Sequence, residues 1–118
     1  MKKQFIFITG TSSGLGKAIA ELCNENGHIV YGSSRNPPAE NPSFKELKVD
    51  VTDQQSVQNA VNYVLEKEGR IDVVINNAGL GIIGPIEYLD VADVNRVWQT
   101  NVNGLLYVLQ AVLPSMRH

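Results

Sequence analysis

The sequence predicts an α/β fold, a doubly wound parallel sheet with helices on both faces. Three observations predict it. Short apolar runs alternate with longer amphipathic ones. A glycine-rich turn follows the first apolar run and opens a helix. An Asn-Asn-Ala-Gly turn follows the fourth apolar run. Strands this apolar read as buried on both faces, as parallel sheets require. Right-handed crossovers then give the strand order 3-2-1-4.

The elements follow from local chemistry. Gln4 to Thr9 reads as strand one, because Phe5-Ile6-Phe7-Ile8 is short, continuous and aromatic or β-branched. Leu15 to Asn26 reads as a helix that Gly27 ends, since glycine accepts the left-handed cap. His28 to Ser33 is strand two. Asn36-Pro37-Pro38 breaks regular structure, and a loop is expected as far as Pro42. Lys45 to Val49 is strand three. Asp53 caps a helix that runs to about Glu68 and stops at Gly69. Its apolar face is Val57, Ala60, Val61, Val64 and Leu65. Ile71 to Ile75 is strand four. Leu80 to Leu89 is a Gly/Pro-broken loop. Asp90 or Asp93 starts a last helix, which is expected to run to about Leu113 with Pro114 just beyond.

Composition narrows the function classes. The 118 residues suit one domain, 43% hydrophobic and 19% charged, which is ordinary for a globular protein. The formal net charge is −2, so no global basic field points to nucleic acid or an anionic membrane. No run approaches the roughly 18 apolar residues that span a bilayer. Met1-Lys2-Lys3 precedes too short an apolar stretch for a secretory leader, and cytoplasmic residence is the default expectation. Cys23 is the only cysteine and reads as an inert thiol on the apolar side of its helix. His28 and His118 are too few and too far apart to suggest a metal site.

The glycine-rich turn is Thr9-Gly10-Thr11-Ser12-Ser13-Gly14-Leu15-Gly16. A dinucleotide pyrophosphate needs free backbone N–H groups and close approach, and a helix N-terminus offers both with its positive dipole end. Gly10 permits the sharp turn. Gly14 lets backbone meet phosphate without an intervening Cβ, and Gly16 lets the helix pack closely on the strand. Thr11, Ser12 and Ser13 offer hydroxyl hydrogen bonds to phosphate or ribose. The spacing is Gly-x-x-x-Gly-x-Gly, which is distinct from Gly-x-Gly-x-x-Gly.

Strand two ends Tyr31-Gly32-Ser33-Ser34-Arg35, with no Asp or Glu between Gly27 and Glu40. An acidic residue there would bind the ribose hydroxyls and repel a 2′-phosphate. Arg35 can instead pair with a phosphate bidentately and Ser34 can donate to it. The alternative for Arg35 is a solvated loop residue. Asn101 lies on the last helix, about 20° from Val94 at 100° per residue. Its amide therefore falls on a broad apolar arc with Trp98, Val102, Leu105 and Leu109, where it must find partners.

Gly10 to Gly16, then Asn76-Asn77-Ala78-Gly79, then Asn101, in this order, resemble the short-chain dehydrogenase/reductase family of the classical type. The resemblance covers essentially the whole chain. It implies a Rossmann-like fold and a nicotinamide dinucleotide cofactor, with NADP(H) favoured over NAD(H) by the Ser34-Arg35 pattern. It implies that Asp50 accepts from the adenine amino group with Val51 beside the ring; a loop-capping Asp50 is the alternative. It implies that Asn76 ties the central strands together and contacts the adenosine ribose, while Ala78 and Gly79 let the cofactor pass close to the backbone. Asn101 is the one member of the family's catalytic tetrad assignable here. In the family it keeps its helix irregular and its carbonyl holds a water of the proton relay; a purely structural Asn101 is the alternative.

The family's catalytic Ser and Tyr-x-x-x-Lys are not assignable. Tyr63 to Lys67 matches the second pattern but precedes Asn76-Asn77-Ala78-Gly79, whereas the family's pair follows it, and it reads as a solvated helix flank. The chain is thus expected to be the cofactor-binding portion, a single domain over residues 1–118 that ends at His118 before the catalytic part and is inactive by itself. Two other readings stand beside this one: a non-catalytic nucleotide-binding or self-assembling module, and an enzyme half completed by another chain. With strand four at an edge and a broad apolar arc on the last helix, association through both is expected.

Overall fold

The computed structural model describes residues 2–39 and 43–117; Met1, the end of the loop expected to reach Pro42, and His118 lie outside them. Strands β1 (Phe5–Thr9), β2 (Ile29–Ser34), β3 (Lys45–Lys48) and β4 (Val73–Asn76) form one parallel sheet ordered β3-β2-β1-β4. Helix α1 (Gly14–Glu25) packs on one face. Helix α2 (Gln54–Glu68) and the last helix pack on the other. The last helix has three parts: α3 (Val91–Trp98), a π turn (Gln99–Asn103) and α4 (Gly104–Met116).

Alternation along β1 builds two cores, because successive side chains point to opposite faces. Ile6 and Ile8 join Ala20, Val30 and Phe44 beneath α1. Phe7 joins Tyr31, Val57, Val61, Val64, Val108 and Val112 between sheet, α2 and α4. Tyr31 lays its ring in this second core and donates from its hydroxyl to Glu68 Oε1 at 2.7 Å. Burial, ahead of that bond, raises its pKa. Cys23 is half-buried against the α1-side core. No helix among the described residues is long and apolar enough to cross a membrane.

Caps explain the helix ends. The Asp53 carboxylate accepts from the N–H of Gln55 and Ser56, and Gly69, at φ 83°, closes α2. The Asp90 carboxylate accepts from Ala92 N–H at the start of α3. Three expectations are corrected. The last helix continues through Pro114 to Met116. Proline removes one N–H donor there, but helical bonding resumes with Arg117 N–H donating to Leu113 O at 3.1 Å. The expected loop also contains a short 3₁₀ turn, Ile86–Tyr88. Finally, Val73, Val74 and Ile75 are half-buried rather than covered on both faces, because among the described residues β4 pairs only with β1.

Strand four also starts later than expected, because Asp72 turns its side chain into the sheet. Its Oδ2 accepts from Phe5 N–H at 2.8 Å while its own N–H donates to Phe5 O at 2.8 Å. The Phe5 bond, ahead of Arg70, holds the Asp72 carboxyl below the usual carboxylate range. A depressed folded value adds stability above the unfolded value and loses it as pH falls through the folded one. Asp72→Ala is expected to cost about 1–2 kcal/mol at pH 7. The difference from the parent should narrow below about pH 4. Urea melts at neutral and acid pH check both; a gap independent of pH would mean that the carboxylate charge is not what stabilises the strand start.

Candidate functional site

Thr9, Ser33 and Asn76 stand side by side at the C-terminal edge of β1, β2 and β4. This is where open α/β sheets bind ligands. The glycine-rich turn is anchored to this row. Gly10 and Thr11 donate their N–H groups to Ser33 O at 2.8 and 3.1 Å, and Ser33 Oγ donates to Ile8 O at 3.0 Å. Gly10 and Gly14 have φ 75° and 62°, which carries the chain sharply from strand to helix. Open space surrounds the missing Cβ of Gly14, whereas a Cβ on Gly16 would stand 2.1 Å from Gly10 O and 2.4 Å from Asn77 Nδ2. The first N–H groups of α1 therefore start beside the sheet edge with nothing in front of Gly14.

The second turn is tied to the first by Thr9 and Asn77. Thr9 Oγ1 accepts from the N–H groups of Asn77 and Ala78 at 3.1 and 3.0 Å. Asn77 Nδ2 donates to Gly10 O at 2.9 Å. Asn77, the neighbour of Asn76, thus ties the two turns together. Thr11 departs from expectation. Its side chain is buried, with Oγ1 3.0 Å from Glu46 Oε1 and 3.5 Å from Ser33 O. It occupies the space where Gly32 lacks a Cβ, which would meet Thr11 Oγ1 at 2.3 Å. Thr11 therefore braces the turn from below and offers nothing to a phosphate. Ser13 is the exposed N-cap residue of α1 and Leu15 is exposed beyond it.

Between the two turns and the last helix runs a groove of about 360 Å³, within the range of small-molecule sites. Gly10, Ser12, Ser34, Arg35, Val51, Ala78 and Gly79 all line it, as do Val49, Arg96 and Thr100. Asp50 lies just outside, in a shallow cleft shared with Arg35. Its Oδ1 accepts from Thr52 N–H and Oγ1 at 2.9 and 2.7 Å, a loop-capping arrangement, and stands 3.8 Å from Arg35 Nε. The Thr52 hydroxyl first, and Arg35 further behind, hold the Asp50 carboxyl below its usual range. Arg35 and Arg96 give the groove its positive charge. Arg96 is paired with Asp93.

Asn101 lies in the π turn, a form that concentrates at functional sites. Its Oδ1 accepts from Leu80 N–H and its Nδ2 donates to Leu80 O, both at 2.8 Å. The amide on the apolar arc thus finds both partners on one residue and fixes the end of the Asn76–Gly79 turn against the helix. Tyr63 and Lys67 lie on α2, with Lys67 Nζ 5.6 Å from the Tyr63 ring centre and Tyr63 edge-on to Tyr31. Neither lines the groove.

A protein-family model described as short chain dehydrogenase matches residues 4–118. The chain belongs to the short-chain dehydrogenase family. A 3-ketodihydrosphingosine reductase from Bacteroides thetaiotaomicron is 46% identical over 117 residues, 99% of this chain and 44% of that protein. The chain therefore spans about half the length, or less, of the curated relatives it matches. The structure of ElxO with NADP bound superposes with TM-score 0.88 and 28% identity, over 98% of this chain and 51% of that one. The NADH-dependent reductase A1-R′ complexed with NAD superposes with TM-score 0.88 and 29% identity, over 98% of this chain and 53% of that one. Members of this short-chain dehydrogenase fold thus bind either nicotinamide dinucleotide. Sequence reading missed Asn77, Thr9, Ser33, Arg96 and Thr100. Thr9 and Asn77 stand within the two turns already singled out, and i,i+4 spacing puts Arg96 and Thr100 on one helix side.

Proposed function

We propose that this chain is the NADP(H)-binding portion of a short-chain oxidoreductase, one dinucleotide-binding domain over its 118 residues. The observation that carries the reading is Arg35, lining the groove at the end of β2 with no carboxylate from that strand beside it. Its guanidinium suits a 2′-phosphate, and the residue leaves the Asp50 pair to meet one. Ser34 lies next to it, with Oγ 3.4 Å from Glu46 Oε1. The α1 N-terminus and Ser12 hold the pyrophosphate, Val51 flanks the base, and Ala78 and Gly79 leave backbone room. Bound there, the nicotinamide supplies the hydride exchanged with a carbonyl or alcohol carbon. The chain's own part is to bind and orient, with Asn101 keeping the π turn in register with Leu80.

The residues that handle the substrate oxygen are not among those placed in the groove. The 118-residue chain is accordingly expected to bind without turnover. Half-buried β4, together with Trp98, Val102, Leu105, Leu106 and Leu113, all at least 40% exposed, favours association with further polypeptide or a second copy. This supports the module or completed-enzyme reading as the runner-up. Cytoplasmic residence goes with the proposed use of a reduced dinucleotide. Calorimetric titration with NADP+ and NAD+, with light scattering on the same sample, tests the proposal. At least about tenfold tighter binding of NADP+ is expected, with a mass above the monomer at micromolar concentration. Failure to bind either dinucleotide would sink the reading, and equal binding would remove the NADP preference.

A further inference from the structure

The end of β2 carries no acid of its own, since no Asp or Glu lies between Gly27 and Glu40. The fold brings one there from the neighbouring strand. Glu46 is half-buried and stands opposite Gly32 in the β2–β3 register. Its Oε1 accepts from Thr11 Oγ1 at 3.0 Å and from Ser34 Oγ at 3.4 Å. The carboxylate thus reaches the glycine-rich turn on one side and the residue before Arg35 on the other.

The two hydroxyls differ in what else they can meet. Thr11 is buried and stands clear of the groove, whereas Ser34 lines it. A hydroxyl carries one hydrogen, and carboxylates and phosphates only accept. Ser34 therefore gives its hydrogen either to Glu46 or to a phosphate in the groove, never to both. At 3.4 Å the Glu46 bond is long, so a phosphate can win the hydrogen, at a cost. The Glu46 charge behind Ser34 adds like-charge repulsion to that cost. A free ribose hydroxyl meets neither penalty, because it can donate to Ser34 Oγ while Ser34 still donates to Glu46.

Resting on the dinucleotide reading above, we infer that Glu46 is a specificity-determining residue that holds the Ser34 hydroxyl hydrogen back from a 2′-phosphate and so limits the preference for NADP(H) that Arg35 creates. Glu46→Gln keeps the size of the side chain and removes its charge. The amide oxygen still accepts from Thr11, and the amide NH2 donates to Ser34 Oγ, which frees the Ser34 hydrogen. Calorimetric titration of the whole chain and its variants with NADP+ and NAD+ tests the inference, alongside thermal melts without nucleotide. Glu46→Gln is expected to bind NADP+ about three- to tenfold more tightly, with NAD+ binding within about twofold of the parent. Ser34→Ala added to Glu46→Gln should weaken NADP+ binding by at least about threefold relative to Glu46→Gln alone. No gain in Glu46→Gln, or a gain that the added Ser34→Ala leaves untouched, would overturn the inference and leave the dinucleotide reading intact. Equal loss for both dinucleotides in step with a lower melting temperature would also overturn it, by reducing Glu46 to a brace for Thr11. A parent chain that binds neither dinucleotide would overturn both readings.

Discussion

Gly16→Ala is expected to lose about 2–3 kcal/mol of stability and to bind NADP+ about 100-fold more weakly. The added methyl would stand 2.1 Å from Gly10 O and 2.4 Å from Asn77 Nδ2. Neither neighbour can yield cheaply. The first is backbone, anchored by the Gly10 N–H bond to Ser33 O. The second is the amide that joins the two turns. Helix α1 must lift from the sheet or the Asn77–Gly10 bond must break, and either displaces the N–H groups proposed to receive the pyrophosphate. Urea melts and calorimetry read the two effects separately. Parent-like affinity in a destabilised variant would show that the phosphate-binding surface survives without the tie, and so is not built by it.

Arg35→Ala is expected to weaken NADP+ binding about 10- to 100-fold, the worth of a charge-assisted, bidentate hydrogen bond. NAD+ binding should stay within about twofold. The variant also leaves Asp50 without its cation, at 3.8 Å in the parent. A carboxylate no longer neutralised adds repulsion to a phosphate and none to a hydroxyl. Equal loss for both dinucleotides would move Arg35 from the 2′-phosphate to a part of the ligand that the two share. Loss of neither would return it to the solvated loop residue that its sequence position also allows.

Fold and site were unequally legible in the sequence. The strand order follows from apolar runs, crossover handedness and glycine placement, because these signals are local and additive. Helix ends at Gly27, Asp53 and Gly69 were legible for the same reason. The course of the last helix was not, since Pro114 costs one hydrogen bond and the packing of Val108, Ala111 and Val112 outweighs it. Asn76 and Asn77 are identical in chemistry and adjacent in sequence. Which of them ties the turns depends on a strand register that only the assembled sheet provides. Thr11 belongs to the same class. Its hydroxyl reads as a phosphate donor from its place in the turn, and is claimed instead by Glu46 and Ser33, far along the chain. The π turn has no propensity signature of its own; it lies where Asn101 bonds to Leu80, far back along the chain.

The interlock of Gly32 and Thr11 constrains how this protein can change over evolutionary time. The space that a side chain on residue 32 would need is already filled, by Thr11 Oγ1 at 2.3 Å and by the Phe44 ring at 2.6 Å. Any larger residue at 32 collides unless both position 11 and the ring at position 44 give way in the same lineage. A smaller residue at 11 opens a void beneath the turn that a substitution at 32 refills only if the Phe44 ring also moves. The three sites should therefore drift together, with a single change at position 32 selectively disfavoured.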